Sequence, residues 1–125
     1  MTSVSDEQFQ QLVQEAVEAI PPRFAGHLEN VTFMMADEPD QEQLKAGNVL
    51  HRNGTLLGLY QGIPLPKRDN GYNFALPDII TIFKRPHEFM SPNLEAMRQA
   101  VHETVWHEVA HYFGLDHGQI HALEN

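Results

Sequence analysis

Five residues near the end of the chain could do chemistry together: His107-Glu108-Val109-Ala110-His111, continued by Tyr112-Phe113-Gly114-Leu115-Asp116-His117. The pattern is H-E-x-x-H-x-x-G-x-x-H. Residues four apart on an α-helix lie one turn apart on the same face, so His107 and His111 can aim two imidazoles at one metal ion. Glu108 lies about 100° further round the helix. It stands beside the ion without having to bind it, where a general base for an activated water belongs. Gly114 tolerates φ > 0 and can end the helix in a left-handed turn. Such a turn swings the chain back and brings His117 towards the metal as a third ligand. Three protein ligands with a fourth position open is the catalytic arrangement for zinc, whereas structural sites are closed with four. With eight histidines and eight glycines in 125 residues, the full pattern has chance odds of about two in ten thousand. The competing readings are a helix with solvated histidines, or a site that holds metal and turns nothing over.

The rest of the chain limits the company this motif can keep. A length of 125 residues suits one domain, 1–125, with one modest core. A net charge of −9 argues against a nucleic-acid partner, which needs a basic patch, and against docking on an anionic membrane. No cysteine is present, which excludes disulfides and thiolate-held zinc. The first residues, Met1-Thr2-Ser3-Val4-Ser5-Asp6-Glu7, lack the basic and apolar regions of a signal peptide. No run of about 18 apolar residues is available to span a membrane. The expectation is a cytoplasmic protein, with a monomer as the default.

The elements that must position the motif can be read in order. Ser5 to Gln8 is a capping box, and Phe9, Leu12, Val13, Ala16, Val17 and Ile20 recur at helical spacing, predicting an amphipathic helix over about 6–19. Its Gln11, Gln14, Glu15 and Glu18 form a solvated face, and Pro21-Pro22 stop it. Asn30 to Ala36 reads as a buried strand, its Met34-Met35 pair filling core. Gln41 to Leu50 holds at most a weak helical turn. Thr55 to Gly62 reads as a strand whose two glycines predict a bulge or a close backbone approach. Ile63 to Pro77 is a long connection, of the kind that is usually functional. Asp78 to Arg85 is β-branched and closed by Pro86. Ser91-Pro92 reads as the N-cap and first turn of a last helix over about 92–113. Its core stripe is Leu94, Met97, Val101, Val105, Val109 and Phe113, with Trp106 at the edge. The fold class expected is α+β: an N-terminal helix, a small mixed sheet of about three to four strands, and a long C-terminal helix carrying the motif.

Zinc (Zn2+) held by His107, His111 and His117 would bring the pKa of a bound water towards neutrality. Glu108 would accept a proton as that water attacks a carbonyl, then pass it to the leaving amine. Tyr60 and Tyr72 are candidates for stabilising the oxyanion. His51, His87, His102 and His121 are expected to be ordinary surface histidines.

The motif resembles the extended signature of the zincin superfamily. The wider layout, including Leu57-Gly58-Leu59-Tyr60-Gln61-Gly62 and the strand after Pro77, is similar to small single-domain bacterial zincin-like proteins assigned as minimal metallopeptidases. The resemblance implies an α+β zincin-like fold, zinc, and a peptide or protein substrate. It also implies an edge strand on which an extended peptide lies, near Gly58–Gly62 or Ile79–Phe83. Relatives can use Asp as third ligand, which makes Asp116 a rival to His117; Glu124 is a more distant one. Eight residues after His117 leave no room for a Met-turn of the metzincin kind. The histidine spacing also resembles the three-histidine site of a bacterial endoribonuclease family. That family has glycine where this chain has Glu108, and the acidic balance disfavours RNA. A metal-dependent interaction module without turnover is the third class of reading.

Overall fold

The computed structural model describes residues 1–28, 30–46, 55–62 and 78–115. Eight elements follow in order: α1 (Asp6–Glu18), α2 (Pro22–Ala25), β1 (Val31–Ala36), α3 (Gln41–Ala46), β2 (Gly58–Gln61), β3 (Asp78–Phe83), α4 (Lys84–Met90) and α5 (Leu94–Tyr112). The architecture is α+β, with a three-stranded mixed sheet of order β1-β3-β2. β1 runs parallel to β3, and β2 runs antiparallel to it.

The local signals explain where most elements begin. Ser5 Oγ accepts from the Gln8 N–H (3.1 Å) and Gln8 Oε1 accepts from the Ser5 N–H (2.9 Å), so the capping box is formed. The apolar stripe of α1 buries Phe9, Leu12, Val13 and Ala16. Pro21-Pro22 end this helix and also start the next, with Pro22 in the first turn of α2, where its missing N–H has no helical partner to lose.

Burial sorts the strands differently from the sequence expectation. β3 is the central strand and is buried almost throughout. β1 is half-buried, with alternating exposure and Met34 47% exposed; it flanks β3 and is covered on one face only. The fully buried strand and the core role expected for Met34 are therefore corrected. Ile80 and Ile82 point to the face covered by α1 and α5, where they join Phe9, Leu12, Met97, Val101, Val105 and Val109 in the main core. Phe83 and Leu59 point to the other face, against Leu56 and the α3 residue Leu44.

The largest departure is at Pro86. It does not close a strand. β3 ends at Phe83, and Pro86 sits in the first turn of α4, where backbone N–H groups need no i−4 acceptor. α4 carries His87 into the interior, so the expected surface histidine is fully buried. Its Nδ1 lies 2.7 Å from the Phe83 carbonyl oxygen and its Nε2 3.0 Å from Thr104 Oγ1. The start of α5 also moves. Asn93, not Ser91, is the N-cap, its Oδ1 accepting from the Ala96 N–H at 2.8 Å. Both residue types cap well, and Ser91 instead terminates α4. Leu94 is consequently exposed, while Met97, Val101, Val105 and Val109 are fully buried as the stripe predicts. No helix among the described residues is long and apolar enough to cross a membrane.

Candidate metal centre

α5 carries two jobs on adjacent faces. One stripe supplies the core, and the neighbouring face near its C-terminal end presents His107 and His111. Phe24 of α2 fastens this end, with ring centroids 5.0 Å from Trp106 and 5.6 Å from Phe113. The two imidazole rings are 4.9 Å apart, with planes crossing at 76°. One ligand atom from each of His107, Glu108 and His111 lies within 4.8 Å of the others. That spacing is of the order that one shared ion requires, since zinc–nitrogen bonds are about 2.0–2.1 Å long. Two imidazoles one helical turn apart are donors that suit zinc, and His107 Nε2 is a buried nitrogen. The residues present fit the ion.

Glu108 is 5% exposed. Burial pushes its carboxyl up to about 7, against a smaller opposing effect of a hydrogen bond from the Tyr60 backbone. In that bond the Tyr60 N–H donates to Glu108 Oε1 at 2.8 Å. The strand register explains why this amide is available. The Phe83 N–H donates to the Leu57 carbonyl, so in the antiparallel ladder Leu59–Thr81 and Gln61–Ile79 are the bonded pairs and Tyr60–Ile80 is not. The Tyr60 N–H therefore points away from β3, to the outer side of β2.

Gly58 makes the approach of β2 to α5 possible. A Cβ there would stand 2.6 Å from Thr104 Cγ2 and 3.4 Å from Glu108 Cγ. At Gly62 a Cβ would run into Asp78 Oδ1 at 2.4 Å. Both glycines thus sit in close approach to neighbours within the protein, one of the two readings their spacing suggested. Tyr60 turns its hydroxyl to the buried Asp78, donating to Oδ2 at 2.8 Å, and its ring meets Tyr112 edge-on at 6.1 Å.

Gly114 has φ 74°, the left-handed turn its type suggests. The Leu115 N–H donates to the Ala110 carbonyl and the Gly114 N–H to the His111 carbonyl, which together form a Schellman ending. His117, Asp116, Glu124 and Tyr72 lie outside the described residues, as do His51 and His121. Among the described residues β2 is an edge strand and β3 is not, so the second expected edge, Ile79–Phe83, is corrected to the sheet centre. His102 is partly exposed and lies 3.5 Å from Glu15 on α1.

Four participants escaped the sequence. The Tyr60 amide is a backbone group and carries no residue-type signal. His87, Thr104 and Asp78 act through partners distant in the chain, and only the two glycines hinted at the crowding around them.

The family model described as zincin-like metallopeptidase matches residues 28–125, from just after α2 to the end of the chain. No curated protein matches the chain.

Proposed function

The chain belongs to the zincin-like metallopeptidase family, and from that premise we propose that it hydrolyses peptide bonds in peptide or protein substrates, as one domain. In this reading His107, His111 and His117 hold a zinc ion, Asp116 is the competing third donor, and Glu108 is the general base. The observation that carries it is Glu108 itself: a buried carboxyl with a ligand atom within 4.8 Å of one on each of two imidazoles.

A zinc ion supplies Lewis acidity there and acidifies water. Glu108 supplies the proton traffic. With Oε1 occupied by the Tyr60 N–H, Oε2 is the oxygen that takes a proton from the attacking water and returns it to the leaving amine nitrogen. Burial raises this carboxyl in the metal-free protein; a bound cation would favour its ionised form, which is the form that accepts a proton. His107 and His111 must be neutral to donate, so acid weakens the site. Tyr60 is poorly placed to serve an oxyanion, since its hydroxyl is already donated to Asp78.

Elemental analysis of protein purified without chelator tests the metal, and a peptide library tests turnover. About one equivalent of zinc together with hydrolysis that disappears in Glu108→Gln, zinc being retained, supports the enzyme. Zinc without hydrolysis in the unmodified protein would favour a binding module. The endoribonuclease reading loses ground to the family match and to Glu108, for which that site has glycine.

A further inference from the structure

We propose that β2 positions Glu108 through a seat formed by Gly58 and Thr104: their contact holds the strand at the distance from α5 at which the Tyr60 amide reaches the carboxyl. This inference rests on the reading of Glu108 as general base and names the residues that aim it.

Thr104 lies one turn before Glu108 on α5, so both side chains face β2. Its rotamer is held from behind. Thr104 Oγ1 donates to the Ala100 carbonyl at 2.8 Å and lies 3.0 Å from His87 Nε2, while His87 Nδ1 is bound to the Phe83 carbonyl. With Oγ1 engaged on that side, Cγ2 is directed at Gly58, where a Cβ would stand only 2.6 Å away. The Thr81 carbonyl oxygen, 3.3 Å from the same point, closes the other side. Nothing larger than hydrogen fits at position 58 unless β2 moves off the helix. The Tyr60–Glu108 bond is 2.8 Å, and a shift of half an ångström would take it past the range of a good hydrogen bond. Glycine is therefore a spacer here, and His87 and Thr104 form the stop against which it rests.

The test is amide hydrogen exchange by NMR on the full chain, metal-free and after zinc addition. The Leu59 and Gln61 amides, which face β3, are the internal reference. In the unmodified protein the Tyr60 amide is protected although it faces outward. Glu108→Ala removes the acceptor and should speed Tyr60 exchange at least about tenfold, with the reference amides within about twofold. Gly58→Ala should have the same selective effect. Adding Thr104→Ser to it deletes Cγ2 but keeps the hydroxyl, and should restore protection. Where hydrolysis is measurable, Gly58→Ala should lower kcat with KM little changed, and the double variant should recover it. Tyr60 exchange that is unprotected from the start, or indifferent to Glu108→Ala, overturns the proposal even if Gly58→Ala does not fold. Failure of Thr104→Ser to compensate a folded Gly58→Ala overturns it as well. A protein that hydrolyses nothing would sink the assignment of the base, and the exchange pattern would still decide whether β2 holds the carboxyl.

Discussion

Replacing Glu108 by Gln should change how stability depends on pH, and the size follows from burial. In the metal-free protein the carboxyl is pushed from 4.5 to about 7 by loss of water. The folded state therefore holds this proton more tightly than the unfolded chain. The stabilising contribution is complete below pH 4.5, declines as pH rises, and is gone above about 7. A displacement of that size corresponds to about 3 kcal/mol, a large part of the 5–15 kcal/mol that keeps a domain folded. Glutamine preserves the shape and the acceptor for the Tyr60 N–H but cannot ionise. Urea unfolding followed by circular dichroism, in chelator, at several pH values between 4.5 and 8, makes the comparison. The variant should gain on the unmodified protein by about 3 kcal/mol across this window, ending as the more stable of the two at pH 8. Parallel pH curves would refute the argument that burial of an ionising Glu108 strains the empty site. Saturating zinc should shrink the difference, because a nearby cation favours the ionised carboxylate.

Other perturbations read other parts of the fold. His111→Ala should lose the zinc of the purified protein, measured by elemental analysis, while circular dichroism stays helical. Gly114→Ala places a side chain at φ 74°; it should lower stability by about 1 kcal/mol and weaken zinc binding by calorimetry, since the turn directs the following chain. Phe9→Ala empties a fully buried position beside His87, whose ring is 5.7 Å away; urea unfolding should show a loss of about 3–5 kcal/mol.

What could be read beforehand and what could not divide along a physical line. The capping box at Ser5, the buried stripe of α1, the stripe from Met97 to Val109 and the left-handed Gly114 are all set by neighbours within a turn or two, and they formed where their patterns indicate. The pairing of His107 with His111 is of the same local kind. Errors arose where tertiary context decides. Pro86 is compatible with a strand end and with a first helical turn, and only packing selects the second, carrying His87 inside. Ser91 and Asn93 are both good caps. Met34 is apolar on a strand that is covered on one side only. Above all, the tie from β2 to Glu108 joins a backbone amide to a side chain 48 residues away, and no pattern of residue types announces it.

That separation has a consequence for the order in which the centre is assembled. His107 and His111 need only one helix to stand together, so their proximity is available as soon as α5 winds. The burial and aiming of Glu108 need β2 delivered from 48 residues upstream, with β3 already in place between two strands of opposite direction. Non-local pairings of this kind close late, because the chain entropy of the loop is lost before the contact rewards it. A half-folded chain can thus bring the two imidazoles together while the Glu108 carboxyl is still solvated and unaimed. Pulse-labelled exchange during refolding should show helical amides of α5 protected before the amide of Tyr60.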